Sequence, residues 1–287
     1  MKKHPKVFII ILNYNGLDVL KKCLTSVFKI DYSNFEIILV DNNSSDGSLE
    51  MAKTNFSKAI FIKNEENLGF AAGNNVGIKF ALERAADFIL LLNSDVEVEK
   101  NFLTQLMDNV ADKEEIGLAS PVIFDGQTRE IWFSGGHINW WRLKTVHEKN
   151  IRTEKIFNSG FITGCAMLVR AAVFQKIGLL DERFFLYWED ADFSLKSKKA
   201  DFQNVIVSSS WIYHFEKSRE NPENKTYWLV VSGLIFFQKN AGFFFKVWGF
   251  FYLKMRKIKN WLDVKIKKDQ ISLMVQKAYR DFKNAQF

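Results

Sequence analysis

Wholly apolar runs alternate with polar, turn-forming stretches through the first third of the chain. VFIIIL at residues 7–12, EIILV at 36–40, a short run at 59–63 and FILLL at 88–92 have the pattern of strands buried on both faces of a sheet. Each ends in turn or cap chemistry: NYNG, then DNNSSDGS, then a loop leading into NLGFAAGNNVG, then NSD. Leu17, Leu20, Leu24 and Val27 recur at helical spacing and predict a helix over 17–28; others are expected from Ser48 and from the Gly/Asn-rich segment. Gly69, Ala71, Ala72, Gly73 and Gly77 let that third helix approach a ligand or the sheet closely. Strand, polar loop and helix, repeated to about residue 120, predict an α/β fold with a mostly parallel sheet and helices on both faces.

The texture changes after Pro121. Short strands are expected at 122–124 and 131–134, with a Trp/His-rich segment at 137–141. FITGCAMLVR at 161–170 is a β-type run, with a fully buried helix as the alternative, and a helix follows over 171–177. An aromatic stretch leads into Glu189-Asp190-Ala191-Asp192 and a helix through 195–199; a strand is expected at 205–208, then WIYH at 211–214 and a charged loop to Lys225. Beyond Tyr227 the chain is strongly apolar, but Lys239 and Lys246 leave no uncharged stretch long enough to span a bilayer. Two helices are expected there, lying against a membrane or packed on the body.

Composition sharpens this picture at the tail. The net charge of +7 over 287 residues is unevenly placed: residues 239–287 hold twelve Lys/Arg against three Asp/Glu. A near-neutral body with a basic, aromatic end does not read as a nucleic-acid binder. Such an end suits an anionic membrane surface, while homodimerisation is the other use for it. Cys23 and Cys165 are too few and too far apart for a metal cluster or disulfide scaffold, and are expected as reduced core thiols. The polar leader and the short run at 7–12 lack the form of a secretory signal, so a cytoplasmic chain is expected.

Candidate chemistry gathers at strand ends, where open α/β sheets bind ligands. Asp41 can accept from a nucleotide base or ribose, helped by Asn13 and Asn43, or it can cap its own loop. Asn67 and Asn74 are weaker candidates of the same kind. Asp95, with Asn93 and Ser94 before it, suits Mg²⁺ or Mn²⁺ shared with substrate phosphates. Glu189, Asp190 and Asp192 are either a solvated helix start or a group from which one carboxylate takes the proton of an attacking hydroxyl. Trp188 and Tyr187 could wall a sugar ring. His214 is either a further metal contact or a satisfied core histidine; His137 and His147 have no comparable context.

Taken in order, VFIIILNYNG, VDNNSSDGS, NLGFAAGNNVG, LLNSDV, FITGCAMLVR and DERFFLYWEDADFSLK resemble the inverting family 2 glycosyltransferases. The likeness covers residues 7–216 and is strongest to the bacterial rhamnosyltransferase-type branch of O-antigen and capsule synthesis. It implies a GT-A fold, with a Rossmann-like, mostly parallel central sheet and a C-terminal helical extension. Residues 1–225 form the glycosyltransferase domain, 1–120 its nucleotide-sugar-binding half and 121–225 its acceptor-binding half, with 226–287 as extension. By the same resemblance Asp41, Asn13 and Asn43 meet the nucleotide, and Asn67, Gly69 and Asn74 surround it. Asn93-Ser94-Asp95 stands in place of an Asp-x-Asp motif, departing from it at Asn93, and Asp95 is the metal-binding end. Asp190 falls on the catalytic base, Trp188, Glu189 and Asp192 on the acceptor side, and His214 on a histidine that reaches the metal. The implied reaction moves a sugar from dTDP-rhamnose or a UDP-hexose, with Mg²⁺ or Mn²⁺, to a glycan or polyprenyl-diphosphate-linked acceptor at the inner face of the membrane. A non-catalytic carbohydrate-binding scaffold, a nucleotidyltransferase and a glycoside hydrolase are the competing readings. LNYNGLDVL lacks the Gly-rich triphosphate loop of the second, and the nucleotide-pocket motifs disfavour the third.

Overall fold

A computed structural model describes residues 4–150, 152–216, 221–266 and 269–284. Part of the expected charged loop, 217–220, and parts of the extension, 267–268 and 285–287, lie outside the described residues. In chain order the first half runs β1 (Val7–Asn13), α1 (Leu17–Val27), β2 (Phe35–Asp41), α2 (Ser48–Asn55), β3 (Ile60–Lys63), α3 (Gly69–Glu83), β4 (Phe88–Asn93), β5 (Val96–Val98) and α4 (Phe102–Val110). Then come β6 (Ile116–Asp125), β7 (Ile131–Phe133), β8 (Gly136–Asn139), β9 (Lys144–His147), β10 (Ile156–Asn158), β11 (Ala166–Arg170), α5 (Ala171–Ile177), α6 (Glu189–Lys199) and β12 (Gln203–His214). The extension is α7 (Pro222–Asn240), α8 (Phe243–Ile266) and α9 (Gln270–Asn284).

The central sheet has the order β10-β12-β6-β11-β4-β1-β2-β3. From β3 to β4 every pairing is parallel, as the repeated strand–helix units require. β11 then enters antiparallel to both β4 and β6, giving a mostly parallel but mixed sheet. β1 and β4 lie at its centre with Val7 to Ile11 and Phe88 to Leu92 almost wholly buried, which is why their sequences carry no polar alternation. α3 packs on them through its glycines: a Cβ at Gly77 would stand 2.8 Å from Ile10 Cγ2, and one at Gly73 2.7 Å from Leu12 Cδ1. Close approach here serves the sheet.

Several expected boundaries move. β6 runs straight through Pro121 instead of starting after it; β12 breaks register opposite, between Val207 and Trp211, so the ladder is interrupted where proline cannot donate. The expected strand at 205–208 is therefore part of a twelve-residue strand that includes WIYH. Only 166–170 of the 161–170 run is strand. The preceding segment is buried yet irregular, and the Ser194 hydroxyl accepts from its Ile162 amide at 2.9 Å, replacing a ladder bond. Among its described residues the extension holds three helices, not two, and α7 is fastened to the body. Lys239 Nζ reaches Asp192 Oδ2 at 2.7 Å and Asp181 Oδ2 at 2.6 Å, Asn240 Nδ2 donates to Asp192 Oδ1 at 2.8 Å, and Ser232 Oγ donates to the Leu186 carbonyl at 2.7 Å.

Candidate active site

The loop after β2 is held from within. Asn13 Nδ2 donates to Asp41 Oδ1 (2.9 Å), Ser44 Oγ (3.0 Å) and Ser48 Oγ (2.8 Å). Asp41 also accepts from the Ser44 amide and hydroxyl, at 2.9 and 2.6 Å. Both Asn13 and Asp41 are fully enclosed, so their recorded contacts fix loop 42–48, while Asn43, at φ 61°, stands exposed on it. Asn42 links this loop to the next, donating to Asn67 Oδ1 (3.2 Å) and the Gly69 carbonyl (2.9 Å). Gly69, at φ 76°, is pressed against the Phe185 carbonyl, which a Cβ would approach to 2.4 Å. Asn74 is buried and donates to the Phe70 carbonyl at 2.9 Å.

Asp95 and Asp190 line one cleft of about 470 Å³, together with Tyr14, Asn93, Trp188, Glu189 and His214. β4 delivers Asn93 at its carboxyl end, and Asp95 closes the two-residue turn into β5; the start of α6 delivers Glu189 and Asp190 from the other side. The sharp approach to α6 puts Tyr187 and Trp188 at φ 66° and 72°, left-handed conformations that cost on the order of 1–3 kcal/mol each and occur where surrounding structure demands them. Trp188 is mostly a packing residue: its Nε1 donates to the Leu229 carbonyl at 3.2 Å and its ring rests on Phe236 and Phe237. Asp192 does not line the cleft. Two positions on from Asp190, it points about 200° around the helix and anchors α7 instead. Asn13, Asp41, Asn43, Asn67, Gly69, Asn74 and Ser94 likewise lie outside the cleft lining.

The acidic pair is electrostatically divided. Asp190 accepts from the Gly164 amide (3.0 Å) and the Ala191 amide (2.7 Å). Burial raises its pKa, and these donors hold it back. Glu189 is buried, with Oε2 unpartnered among the described residues; burial first, then the charge of Asp190, pushes its pKa well above the usual range. Glu189 is the more strongly raised of the two, so it keeps its proton to higher pH and Asp190 is the member that ionises first. A carboxyl whose folded pKa is raised stabilises the fold fully below its unfolded pKa and loses that contribution as pH rises through the folded value. Glu189→Gln is therefore expected to gain melting temperature relative to wild type progressively above about pH 4.3, reaching a few degrees by pH 8. Turnover should stay within about threefold, because the amide resembles the native neutral acid. Thermal melts across pH 4–9 check this, and a difference that shrinks with rising pH would contradict it.

Across the cleft His214 Nε2 lies 3.2 Å from Asp95 Oδ1, and its Nδ1 is buried without a hydrogen-bond partner among the described residues. Burial opposes protonation of His214, but the Cys165 sulfur and Asp95 carboxylate outweigh it and raise its pKa well above normal. Burial also pushes the Cys165 thiol up, so the thiol stays neutral and Asp95 is the effective partner. A carboxylate oxygen beside an imidazole nitrogen at the cleft wall fits a divalent ion that takes its other ligands from a diphosphate. No group of three or more protein ligands exists among the described residues. Both cysteines are free and buried.

Sequence reasoning missed several cleft residues, of which Trp132, His147 and Glu216 bear most on the site. Trp132 stands edge-on to both His214 and His147, with centroids at 4.6 and 4.7 Å, and so orients the ring of His214. His147, dismissed for want of context, lines the cleft; burial lowers its pKa and keeps it neutral. Glu216 lines it too, accepting from Trp132 Nε1 at 3.3 Å and paired with Lys225. Only the density of aromatic and histidine residues at 132–147 hinted at any of them.

The mannosyltransferase PcManGT from Pyrobaculum calidifontis, solved in complex with GDP-Man and Mn²⁺, shares this fold at a TM-score of 0.62. The match has 14% identity and covers 84% of this chain and 66% of that one. Sheet order and fold likeness define the fold as GT-A. The profile described as Glycosyl transferase family 2 matches residues 8–178, and the chain belongs to that family of sugar-transferring enzymes. It is 24% identical over 231 residues to an N-acetylglucosaminyl-diphospho-decaprenol L-rhamnosyltransferase of Mycobacterium tuberculosis, covering 72% of this chain and 75% of the relative. It is also 23% identical over 201 residues to the dTDP-rhamnosyl transferase RfbF of Shigella flexneri, covering 67% of this chain and 63% of that relative.

Proposed function

We propose that this protein transfers a sugar from dTDP-rhamnose or a UDP-hexose to a glycan or polyprenyl-diphosphate-linked glycan, with inversion, in cell-surface polysaccharide synthesis. The observation that carries the reading is the single cleft lined by Asp95 and Asp190. The names of the M. tuberculosis and S. flexneri relatives support the acceptor and donor classes respectively. The donor's nucleotide is assigned to the side of the cleft next to loop 42–48, which the enclosed Asn13 and Asp41 hold and which carries the exposed Asn43. Asn93 in the cleft wall and Ser94 beside it are assigned to the diphosphate, and Asn67, Gly69 and Asn74 support the neighbouring loop from outside the cleft. Asp190 takes the proton of the acceptor hydroxyl as that oxygen bonds to the anomeric carbon and the bond to the diphosphate breaks. The Gly164 and Ala191 amides keep its carboxylate from turning away, and neutral Glu189 can donate to the incoming sugar. Asp95 and His214 would hold Mg²⁺ or Mn²⁺, whose charge offsets that gained by the leaving diphosphate. A panel of nucleotide sugars, with and without lipid-linked acceptors, should show nucleoside diphosphate released from a dTDP- or UDP-sugar only when acceptor and metal are both present. No release above background from any pair would reject the proposal.

The extension supports peripheral contact with an anionic membrane at the cytoplasmic face. Phe244, Val247, Phe251, Met255, Ile258, Leu262 and Ile266 recur every three or four residues along α8, and all are exposed, Met255 to 70% and Ile266 to 77%. Lys246, Lys254, Lys257 and Lys265 accompany the stripe. No described helix is long and apolar enough to cross a membrane, and an apolar face with basic flanks suits a helix lying in the interface. Phe251→Glu with Ile258→Glu should abolish most flotation with phosphatidylglycerol-containing vesicles. Unchanged flotation, or a dimer that the same pair dissociates in light scattering, would assign the face to another partner.

A further inference from the structure

A second chamber, of about 480 Å³, lies under the extension between β9, α7, α8 and α9. Its walls are apolar, formed by Val230, Leu234, Leu253 and Val275 among others. Thr145, Trp188 and Leu229 line both this chamber and the catalytic cleft, so the two spaces adjoin at those three side chains. The Trp188 indole at the junction is fixed by its bond to the Leu229 carbonyl, and Gly233 opposite it leaves room, since a Cβ there would come within 3.2 Å of Nε1. Lys144, next to Thr145 at this junction, is exposed and makes no ion pair among the described residues. Arg256 marks the far rim, where the chamber runs on into the groove between α8 and α9.

An apolar chamber, the cation of Lys144 where that chamber adjoins the cleft, and then the cleft with the acidic pair form an ordered series. An amphiphile with an apolar chain, an anionic head and a terminal sugar presents the complementary series. We infer that this chamber is the lipid subsite of the enzyme, holding the head-proximal isoprene units of a polyprenyl diphosphate with the diphosphate at Lys144 and the sugar reaching past Trp188 to Asp190. The inference rests on the proposed lipid-linked acceptor and adds where that lipid is read. Discrimination against water-soluble acceptors follows, because each methylene withdrawn from water adds to affinity. α8 is then two-faced: Leu253 walls the chamber while the exposed stripe is turned to the bilayer from which the lipid comes.

Farnesyl diphosphate, which carries both the apolar chain and the head, tests this without knowledge of either substrate. Its binding to the full chain is measured by calorimetry in the absence of divalent ions, beside inorganic diphosphate and, in a separate arm, dTDP or UDP with Mn²⁺. Farnesyl diphosphate should bind at least about tenfold more tightly than inorganic diphosphate. Val275→Trp, filling the chamber from α9, should weaken it about tenfold while leaving nucleotide affinity unchanged, and Lys144→Gln should weaken it several-fold. Leu253→Trp fills the chamber from α8 and repeats the test should Val275→Trp lower the melting temperature. Equal affinity for farnesyl and inorganic diphosphate, or wild-type farnesyl affinity in both tryptophan variants, overturns the subsite. Failure of the glycosyltransferase proposal would appear instead in the nucleotide arm.

Discussion

Asp190→Asn is expected to lower kcat by about 10³-fold, within the range ordinarily lost with a general base, while nucleotide affinity stays near wild type. The amide has nearly the shape of the carboxylate but cannot take a proton from the acceptor hydroxyl. It also cannot keep both of its present backbone contacts, since the Gly164 and Ala191 amides each donate to a different oxygen and Asn offers only one acceptor. A stability loss of about 1–3 kcal/mol should accompany the variant, so activity must be compared well below its melting temperature. The wild-type pH profile carries a matching signature. Burial raises the Asp190 pKa, and only the ionised form accepts a proton, so kcat should fall on the acid side with an apparent pKa above the usual value of about 3.9. Wild-type-like turnover in Asp190→Asn would remove this residue from the mechanism.

Asp95→Ala should act on the other half of the reaction. Metal-dependent nucleoside diphosphate binding is expected to weaken by about 10–100-fold and kcat to fall by about 10²–10³-fold, with metal-independent nucleotide binding little changed. Two local effects oppose each other on stability. Removing the carboxylate leaves the buried His214 imidazole, 3.2 Å from Asp95 Oδ1, without the partner that favours its charged form; it also relieves the desolvation of that carboxylate. Trp132→Leu should give a weaker version of the kinetic defect, because it frees the ring of His214 without touching the metal position. Calorimetric titration of UDP or dTDP with and without Mn²⁺ separates these outcomes, and equal Mn²⁺ enhancement in wild type and Asp95→Ala would exclude a metal role for Asp95.

The two aspartates of the acidic group show how far a linear reading reaches. In sequence Asp190 and Asp192 are near equivalents. On a helix they face opposite ways, one into the cleft and one to Lys239 and Asn240, and helical spacing alone could have divided them once the helix was known to begin at Glu189. Asp41 shows the converse: its place at a strand end was legible, but its enclosure by Asn13 and Ser44 was not, because those partners come from another strand and from the folded loop itself. Trp132, His147 and Glu216 were invisible for the same reason. Each comes from a different segment, and none has a local pattern marking it as facing Asp95.

The amino-acid sequence by itself determined the alternation of apolar strands and polar loops, the placing of Asp95 and Asp190 at element ends, and the basic, aromatic character of the extension. These follow from solvation, since a strand covered on both faces must be apolar and a chain break must be polar or glycine-rich. Only the tertiary structure decided that β6 continues through Pro121, that Asp192 fastens α7, that Trp132 orients His214, and that a chamber under the extension adjoins the catalytic cleft. Those outcomes depend on side chains distant in sequence satisfying one another's hydrogen bonds and filling one another's space, and neither requirement leaves a periodic trace along the chain.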